Sequence, residues 1–403
     1  MPALNASQKN KILVLFSGLA IIGISYMKSA LELEDAEQAY YSQWWRLTYD
    51  DQPPLYTWFQ ILINKLFGVS KFSFSFLRAL VFCSTISAVY VFGKDYLKSK
   101  NKAVLGVFLL SVIPVYIDFT FRRLSHTSLL CMALVFNKRI ICTIGVVSVL
   151  VLPHFYDLFS NMYYLEELHK SVTHKTSTSQ GNGIPVLSSI FVIAKSFVNL
   201  VLPLCVFLGF LFWKKIIVFD GKNNQSWLKQ TFVSQVIILA FVFVGMKIYK
   251  VETRWLLPLF IPYVVLIISL LQINLMKQCL KYGFIFFVFV VVVQTVRTPI
   301  EKIVGISSSV HFGFSEISDD LKVEFADKQW VLPDVTFAGN IRFLNPEKEV
   351  LSLDDFTLPK SLEKEGNRIV VCLDSDSLVV ASPVIHQIKG FGKEKENLSF
   401  FLD

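Results

Sequence analysis

The chain has 403 residues, of which 53% are hydrophobic and only 17% charged, with a mean hydropathy of +0.53. Soluble domains carry about 25% charged residues, so an ordinary water-soluble enzyme is excluded and a polytopic α-helical membrane protein is expected. The net charge of +8 would suit nucleic acid. Here the lysines fall at helix ends, where they report membrane topology instead, and no nucleic-acid partner is expected.

In chain order, the first apolar run is 11–28, with no small-residue cleavage site after it, and it reads as a retained span. Further runs near the roughly 20 residues that cross a bilayer lie at 75–93, 103–119, 185–213, 231–249, 255–274 and 282–297. A weaker pair at 124–136 and 140–152 is split by Asn137-Lys138-Arg139. Each member supplies about 12 apolar residues, or about 18 Å of helix, against a hydrocarbon core of about 30 Å. They read as thinned spans or a re-entrant hairpin. The total is about nine transmembrane helices.

Lys9, Lys11, Lys94, Lys98, Lys100, Lys102, Lys138, Arg139, Lys214, Lys215, Lys277 and Lys281 all fall on one side of this arrangement. The positive-inside rule makes that side cytoplasmic. The segments 29–74, 120–123, 153–184 and 250–254 and the tail are then extracytoplasmic, which is periplasmic in a Gram-negative bacterium. Residues 1–298 form the transmembrane domain, with 29–74 as its first periplasmic loop. The linker is placed at Arg297-Thr298-Pro299, and 299–403 is a small periplasmic α/β domain with strands at Gln329–Leu332, Arg368–Leu373 and 377–380. In the first loop Pro53-Pro54 ends whatever precedes it. The amphipathic Leu55–Phe67 reads as a helix lying in the interface plane. Residues 160–183, with His169 and His174, read as a mobile lid. The six cysteines show no CxxC or Cys/His spacing and read as small apolar core residues.

Two sets of side chains carry chemistry. Glu34, Asp35, Glu37, Asp50 and Asp51 gather beside the first span, and carboxylates at a bilayer mark a functional site by default. They suit a base that takes the acceptor proton in sugar transfer from a phosphate-linked donor, and they are otherwise solvated loop acids. Asp35 and Glu37, two residues apart, cannot share a helical face. The second set is cationic. Lys250 and Arg254, with Lys247, cap the outer end of a late span, either to hold a departing phosphate or to anchor at the interface. His126 and His154, at outer helix ends, are further candidates for contact with substrate.

Several of these motifs carry a resemblance. Glu34-Asp35-Ala36-Glu37-Gln38, followed by Gln52-Pro53-Pro54-Leu55-Tyr56, resembles the acidic and Pro-Pro-Leu signatures of the polyprenyl-phosphate-dependent glycosyltransferases with the GT-C fold. That superfamily includes protein mannosyltransferases and lipid A aminoarabinose transferases. Arg78, Ser125-His126-Thr127, Pro153-His154, Arg254-Trp255-Leu256-Leu257-Pro258 and Ala338-Gly339-Asn340 resemble later elements in the same order.

The resemblance implies a GT-C-like fold and an inner-membrane glycosyltransferase. The sugar would pass from a polyprenyl-phosphate-linked donor to a periplasmic acceptor such as lipid A, lipopolysaccharide or another envelope glycan, with membrane lipids around the spans. Asp35, with Glu34 or Glu37, is then the catalytic carboxylate. Lys250, Arg254 and Arg78 hold the donor phosphate, and Asp50, Asp51, Gln52, His126 and His154 contact substrate. The family's second acidic residue has no clear counterpart, Asp118 being the nearest acid. No cofactor is required. A divalent ion is compatible with the carboxylates, and no ligand spacing demands one. The other readings are a transporter or flippase of a lipid-linked substrate, and an inactive, shortened homologue acting in envelope assembly. Transporters tend to carry inverted repeats, and none is present.

Overall fold

The first apolar run folds as α1 (Ala6–Tyr26) in a computed structural model of the chain. The structure describes residues 6–50, 52–122, 140–176, 185–220, 226–245, 253–261, 263–304, 310, 312–359, 362, 367–373, 384–389 and 395–402. The acidic segment after α1 is itself helical, α2 (Leu33–Tyr41), and α3 (Leu55–Phe67) follows the double proline. A Ser70–Ser73 capping box opens α4 (Lys71–Leu97), which α5 (Lys100–Ser111) and α6 (Pro114–Arg122) follow. The expected span 103–119 is thus broken just before Pro114, which lacks the amide that a continuous helix needs.

Helix α3 shows why the interfacial reading suits it. Phe59, Leu62 and Leu66 point outward, whereas Tyr56, Thr57, Gln60 and Ile61 are buried. Asn64 continues the inward face, accepting from Gln60 at 2.7 Å and donating to Ser42 at 2.9 Å. An outward apolar stripe over an inward polar one suits lipid, not water.

Next come α7 (Ile140–Ser160) and α8 (Met162–Thr176), and both revise expectation. The weak run 140–152 belongs to a helix of 21 residues, about 32 Å long and long enough to cross. The supposed lid 160–183 is helical as far as Thr176. The other weak run, 124–136, lies outside the described residues. Helix α9 (Pro185–Trp213) coincides with the expected span, and strand β1 (Ile217–Phe219) and α10 (Ser226–Gly245) follow it.

The run 255–274 is not one helix. It divides into a 3-10 turn (Thr253–Leu256), α11 (Leu257–Phe260), α12 (Tyr263–Ser269) and strand β2 (Leu271–Ile273), which pairs antiparallel with β1. Pro258 falls in the first turn of α11, where the missing amide is not needed and proline marks a helix start. Helix α13 (Met276–Val304) runs through Arg297-Thr298-Pro299, so the expected linker lies inside a helix. Among the described residues four helices are long and apolar enough to cross a membrane. Their outward faces, with Leu15, Leu19, Leu80, Phe289 and Ile303, are exposed, as lipid contact requires.

The tail folds as α14 (Phe314–Glu324), β3 (Gln329–Leu332), α15 (Val335–Leu344), β4 (Val350–Ser352), β5 (Arg368–Leu373), β6 (Val384–Lys389) and β7 (Lys395–Leu402). The sheet order is β4-β3-β5-β7-β6, with β4, β3 and β5 parallel. The expected strand at 377–380 lies outside the described residues. This unit shares its core with the first loop, since Ala30, Tyr40, Tyr41 and Tyr49 pack in one cluster with Trp330, Phe337 and Ile341.

The closest seam is between α2 and α15. A Cβ on Gly339 would lie 1.8 Å from the carbonyl oxygen of Ala36 and 2.4 Å from its carbonyl carbon. Beside it Asn340 accepts from the Leu31 amide at 2.8 Å and donates to the Leu31 carbonyl. The Ala-Gly-Asn element therefore docks the tail onto the helix that carries Asp35. Gly339→Ala is expected to cost at least about 1–3 kcal/mol and to lower the melting temperature in detergent. Gly209→Ala, where nothing lies within 4 Å of the added Cβ, is expected to leave it unchanged.

Candidate active site

Helix α2 is too short to be stable alone and is held by its side chains. Asp35 is buried and receives Arg78 from α4, whose Nη2 lies 2.8 Å from Oδ1 and 2.6 Å from Oδ2. Side-chain exposure is 5% for Asp35 and 0% for Arg78. A bare carboxylate there would pay a large desolvation cost, and the guanidinium beside it offsets most of that. The other guanidinium nitrogen of Arg78 donates to the carbonyl of Phe121 at the end of α6 (3.4 Å). Arg78, expected to hold donor phosphate, is engaged by Asp35 instead. Tyr56 of α3 is buried beside the pair, and burial pushes its phenol well above the ordinary value.

Glu34 is buried as well, so neither it nor Asp35 is a solvated loop acid. Glu37 turns away from Asp35 and accepts from Gln52 at 2.7 Å, as the two-residue spacing required. Asp50 lies at the tip of the loop with φ of +54°, its amide donating to Thr357 Oγ1 at 2.9 Å and its carboxylate near Tyr41 OH (3.5 Å). His154 is buried within α7, 6% exposed. Asp51, His126 and Lys250 lie outside the described residues. Arg254 sits in the 3-10 turn before α11, and its side chain lies outside them also. Asp118 is paired with Arg297 at 2.7 Å, and Arg297 also bonds Glu301 at 2.7 Å, so this acid ties α6 to α13. Among the described residues no three His, Cys, Asp or Glu side chains converge as a metal site.

The sequence reading missed a second buried pair behind this site. Arg46 donates to Asp355 at 2.9 Å and to Thr357 at 3.1 Å, and its guanidinium lies over the rings of Tyr41, Trp44 and Tyr49. Burial acts against its charge, and Asp355 more than compensates, so its proton is held more tightly than usual. Tyr40 donates to the same carboxylate at 3.0 Å. Gln43 pairs with both backbone groups of Val350, each at 3.0 Å, and so closes the free edge of β4. Trp44-Trp45-Arg46 was a visible aromatic–cation signal. Nothing in the sequence pointed to Asp355.

Residues 51–142 match the family described as dolichyl-phosphate-mannose-protein mannosyltransferase. Over nearly their whole lengths the coordinates superpose on the crystal structure of ArnT from Cupriavidus metallidurans. The apo form gives a TM-score of 0.54 at 12% identity, covering 98% of both chains. The form bound to undecaprenyl phosphate gives 0.51 at 11%, covering 96% of this chain and 97% of that one. The fold is GT-C. Two lipopolysaccharide core galacturonosyltransferases of Rhizobium johnstonii are similar in part. RgtB is 31% identical over 98 residues and RgtA 28% over 104, which is 24% and 26% of this chain. The matched regions span only 20% and 21% of those relatives' lengths.

Among the ion pairs of the described residues, Asp35–Arg78 is the least exposed. Arg78→Met is expected to destabilise by about 3–5 kcal/mol, the cost of leaving a buried charge without its partner, read as earlier unfolding or faster proteolysis in detergent. A pH signature is expected at Asp354. Its side chain opens outward, yet the surrounding walls withdraw enough water to push the carboxyl to about 6, against the Ser352 hydroxyl that donates to it at 2.6 Å. A carboxyl with a higher folded than unfolded value favours folding most at low pH, and that contribution fades as pH rises from about 4 to about 6. Melting curves across this window should therefore slope less for Asp354→Asn than for wild type.

Proposed function

We propose that the protein is a multi-pass glycosyltransferase of the bacterial inner membrane. It moves a sugar from a polyprenyl-phosphate carrier to an envelope glycolipid or glycan of the lipid A or lipopolysaccharide type. The observation that carries this reading is a buried carboxylate, Asp35, paired with Arg78 in a chain with the GT-C fold. The partial match to lipopolysaccharide core galacturonosyltransferases supports the acceptor class, and the ArnT structure with undecaprenyl phosphate supports the donor class.

The N-terminus is cytoplasmic in this reading and the tail unit periplasmic. Lysine placement supports it. The α4–α5 turn at Lys98 lies a helix length, about 40 Å, from the Lys71 end of α4. Lys214 and Lys215 adjoin the β1–β2 pair, which leads into α13 at Lys277.

The reaction forms a bond between the acceptor oxygen and the anomeric carbon while the bond from that carbon to the phosphate oxygen breaks. The electron pair leaves with the phosphate, and the acceptor proton passes to a carboxylate. Asp35 is the base or orienting carboxylate. Its oxygens share one Arg78 nitrogen, which leaves each with a lone pair. Glu34 and Glu37 stand on the same helix. Lys250 and Arg254 stabilise the departing phosphate, while Arg78 acts through Asp35.

Mass spectrometry of lipid A and envelope glycans from wild-type, deletion and Asp35→Asn cells tests the reading. A sugar-sized mass present in wild type should be missing from both altered strains. An unchanged glycan profile across all three would sink the proposal.

A further inference from the structure

A sheet in an α/β unit normally buries both faces under helices. In the tail, Trp330, Leu332, Val350 and Ile369 turn one face of β3, β4 and β5 into the buried cluster shared with α14 and α15. Their alternating neighbours Val331, Leu351 and Arg368 face a cavity of about 700 Å³. Its opposite wall is α8, through Tyr163, Glu167, Lys170 and Ser171, and its rim includes Asp50 from the first loop. Three segments far apart in sequence therefore build it. Helix α8 is held at a distance from the sheet by Tyr164, whose ring packs on Phe356 and whose hydroxyl reaches the Thr357 carbonyl at 3.5 Å.

The lining chemistry is specific. Asp50 and Asp354 bring acceptor oxygens and Arg368 donor nitrogens, Glu167 and Lys170 form an ion pair at 2.9 Å on the α8 wall, and Tyr163 and Phe356 bring aromatic rings. Many hydrogen-bonding groups beside aromatic faces match a ligand rich in hydroxyls, with C–H faces to lay on the rings. The volume lies within the roughly 300–1,000 Å³ of small-ligand sites. Asp50 is held in the left-handed region by Thr357, a conformation that costs energy away from glycine and clusters at functional sites. Its carboxylate also approaches Tyr41, the last residue of α2. Asp50 thus links the cavity wall to the C-terminal end of the helix that carries Asp35 and Glu37.

We infer that this cavity binds the saccharide part of the acceptor through its hydroxyls, and so presents the acceptor to the Asp35 helix. The inference rests on the glycosyltransferase reading for its acceptor. Its test reads binding separately from turnover.

Saturation-transfer NMR on the full-length protein in detergent, with a deacylated lipopolysaccharide oligosaccharide as the probe, reports occupancy without chemistry. Tyr163→Ala and Glu167→Ala change exposed or half-exposed side chains of α8 and leave the core intact. With Asp354→Asn as a third variant, each is expected to weaken the probe by about tenfold, the scale of one lost hydrogen bond to a charge or one lost ring contact. The same variants should raise the acceptor KM by a similar factor while the donor KM stays constant. Absence of probe binding to the wild type, or wild-type affinity and acceptor KM in all three variants, overturns the cavity. A bound probe that the variants release, in a protein that transfers no sugar, leaves the cavity standing and removes the transferase reading.

Discussion

The Asp35–Arg78 ion pair fixes where α2 lies against α4 and α6. A carboxylate without a partner could not stay in so dry a place, so α2 can lie over the bundle only where α4 delivers a guanidinium. Arg78 in turn donates to the Phe121 carbonyl, which joins α6 to the same point. Tyr56 of α3 closes the pair from one side. Two helices of the membrane part, α4 and α6, and two of the first loop, α2 and α3, thus meet around a single neutralised charge. Replacing the pair with apolar side chains of similar volume would often cost a protein little. The charge is therefore better explained by chemistry than by stability.

With α2 fixed, the tail has one place to dock. Gly339 lets the α15 backbone reach Ala36, and Asn340 supplies the two hydrogen bonds that the Leu31 backbone lacks once α1 has ended. Arg46, caged by Tyr41, Trp44 and Tyr49, then locks onto Asp355. The apolar cluster that results belongs to both ends of the chain. The unit after α13 is thus part of the outer face of the bundle, sharing that core with the first loop. This arrangement gives the Asp35 helix rigid support on two sides, the preorganisation that a group acting on a reacting centre needs.

Some elements were legible from local chemistry alone. Helix α3 was read to the residue because Pro53-Pro54 precedes it and Leu55–Phe67 is amphipathic; in the structure Gly68, at φ of +71°, ends it. Helix α9 and strands β3 and β5 were equally plain. The errors have physical causes. Pro299 was taken for a boundary, yet α13 runs through it, as membrane helices tolerate internal proline. The apolar run 255–274 was taken for one span, yet Pro258 starts a new short helix within it and Leu271–Ile273 leave it to pair with β1. Residues 160–176 were read as loop because their composition is polar. They are helical, and they roof the cavity on the tail sheet.

Hydropathy and charge act over short stretches of chain, so the lipid solvent, the spans at α1, α4, α9 and α13 and the address of the acidic residues were readable in the sequence. It also determined that Asp35 and Glu37 must diverge, since two residues of helix turn them apart. Tertiary structure alone decided the partners: Arg78 for Asp35, Gln52 for Glu37, Asp355 for Arg46 and Arg297 for Asp118. Those choices depend on which distant segments the packing brings within about 3 Å, and no local pattern of residues encodes that distance. The cavity is a consequence of the same kind, since its walls belong to the first loop, α8 and the tail sheet, and none of them shows a pocket alone.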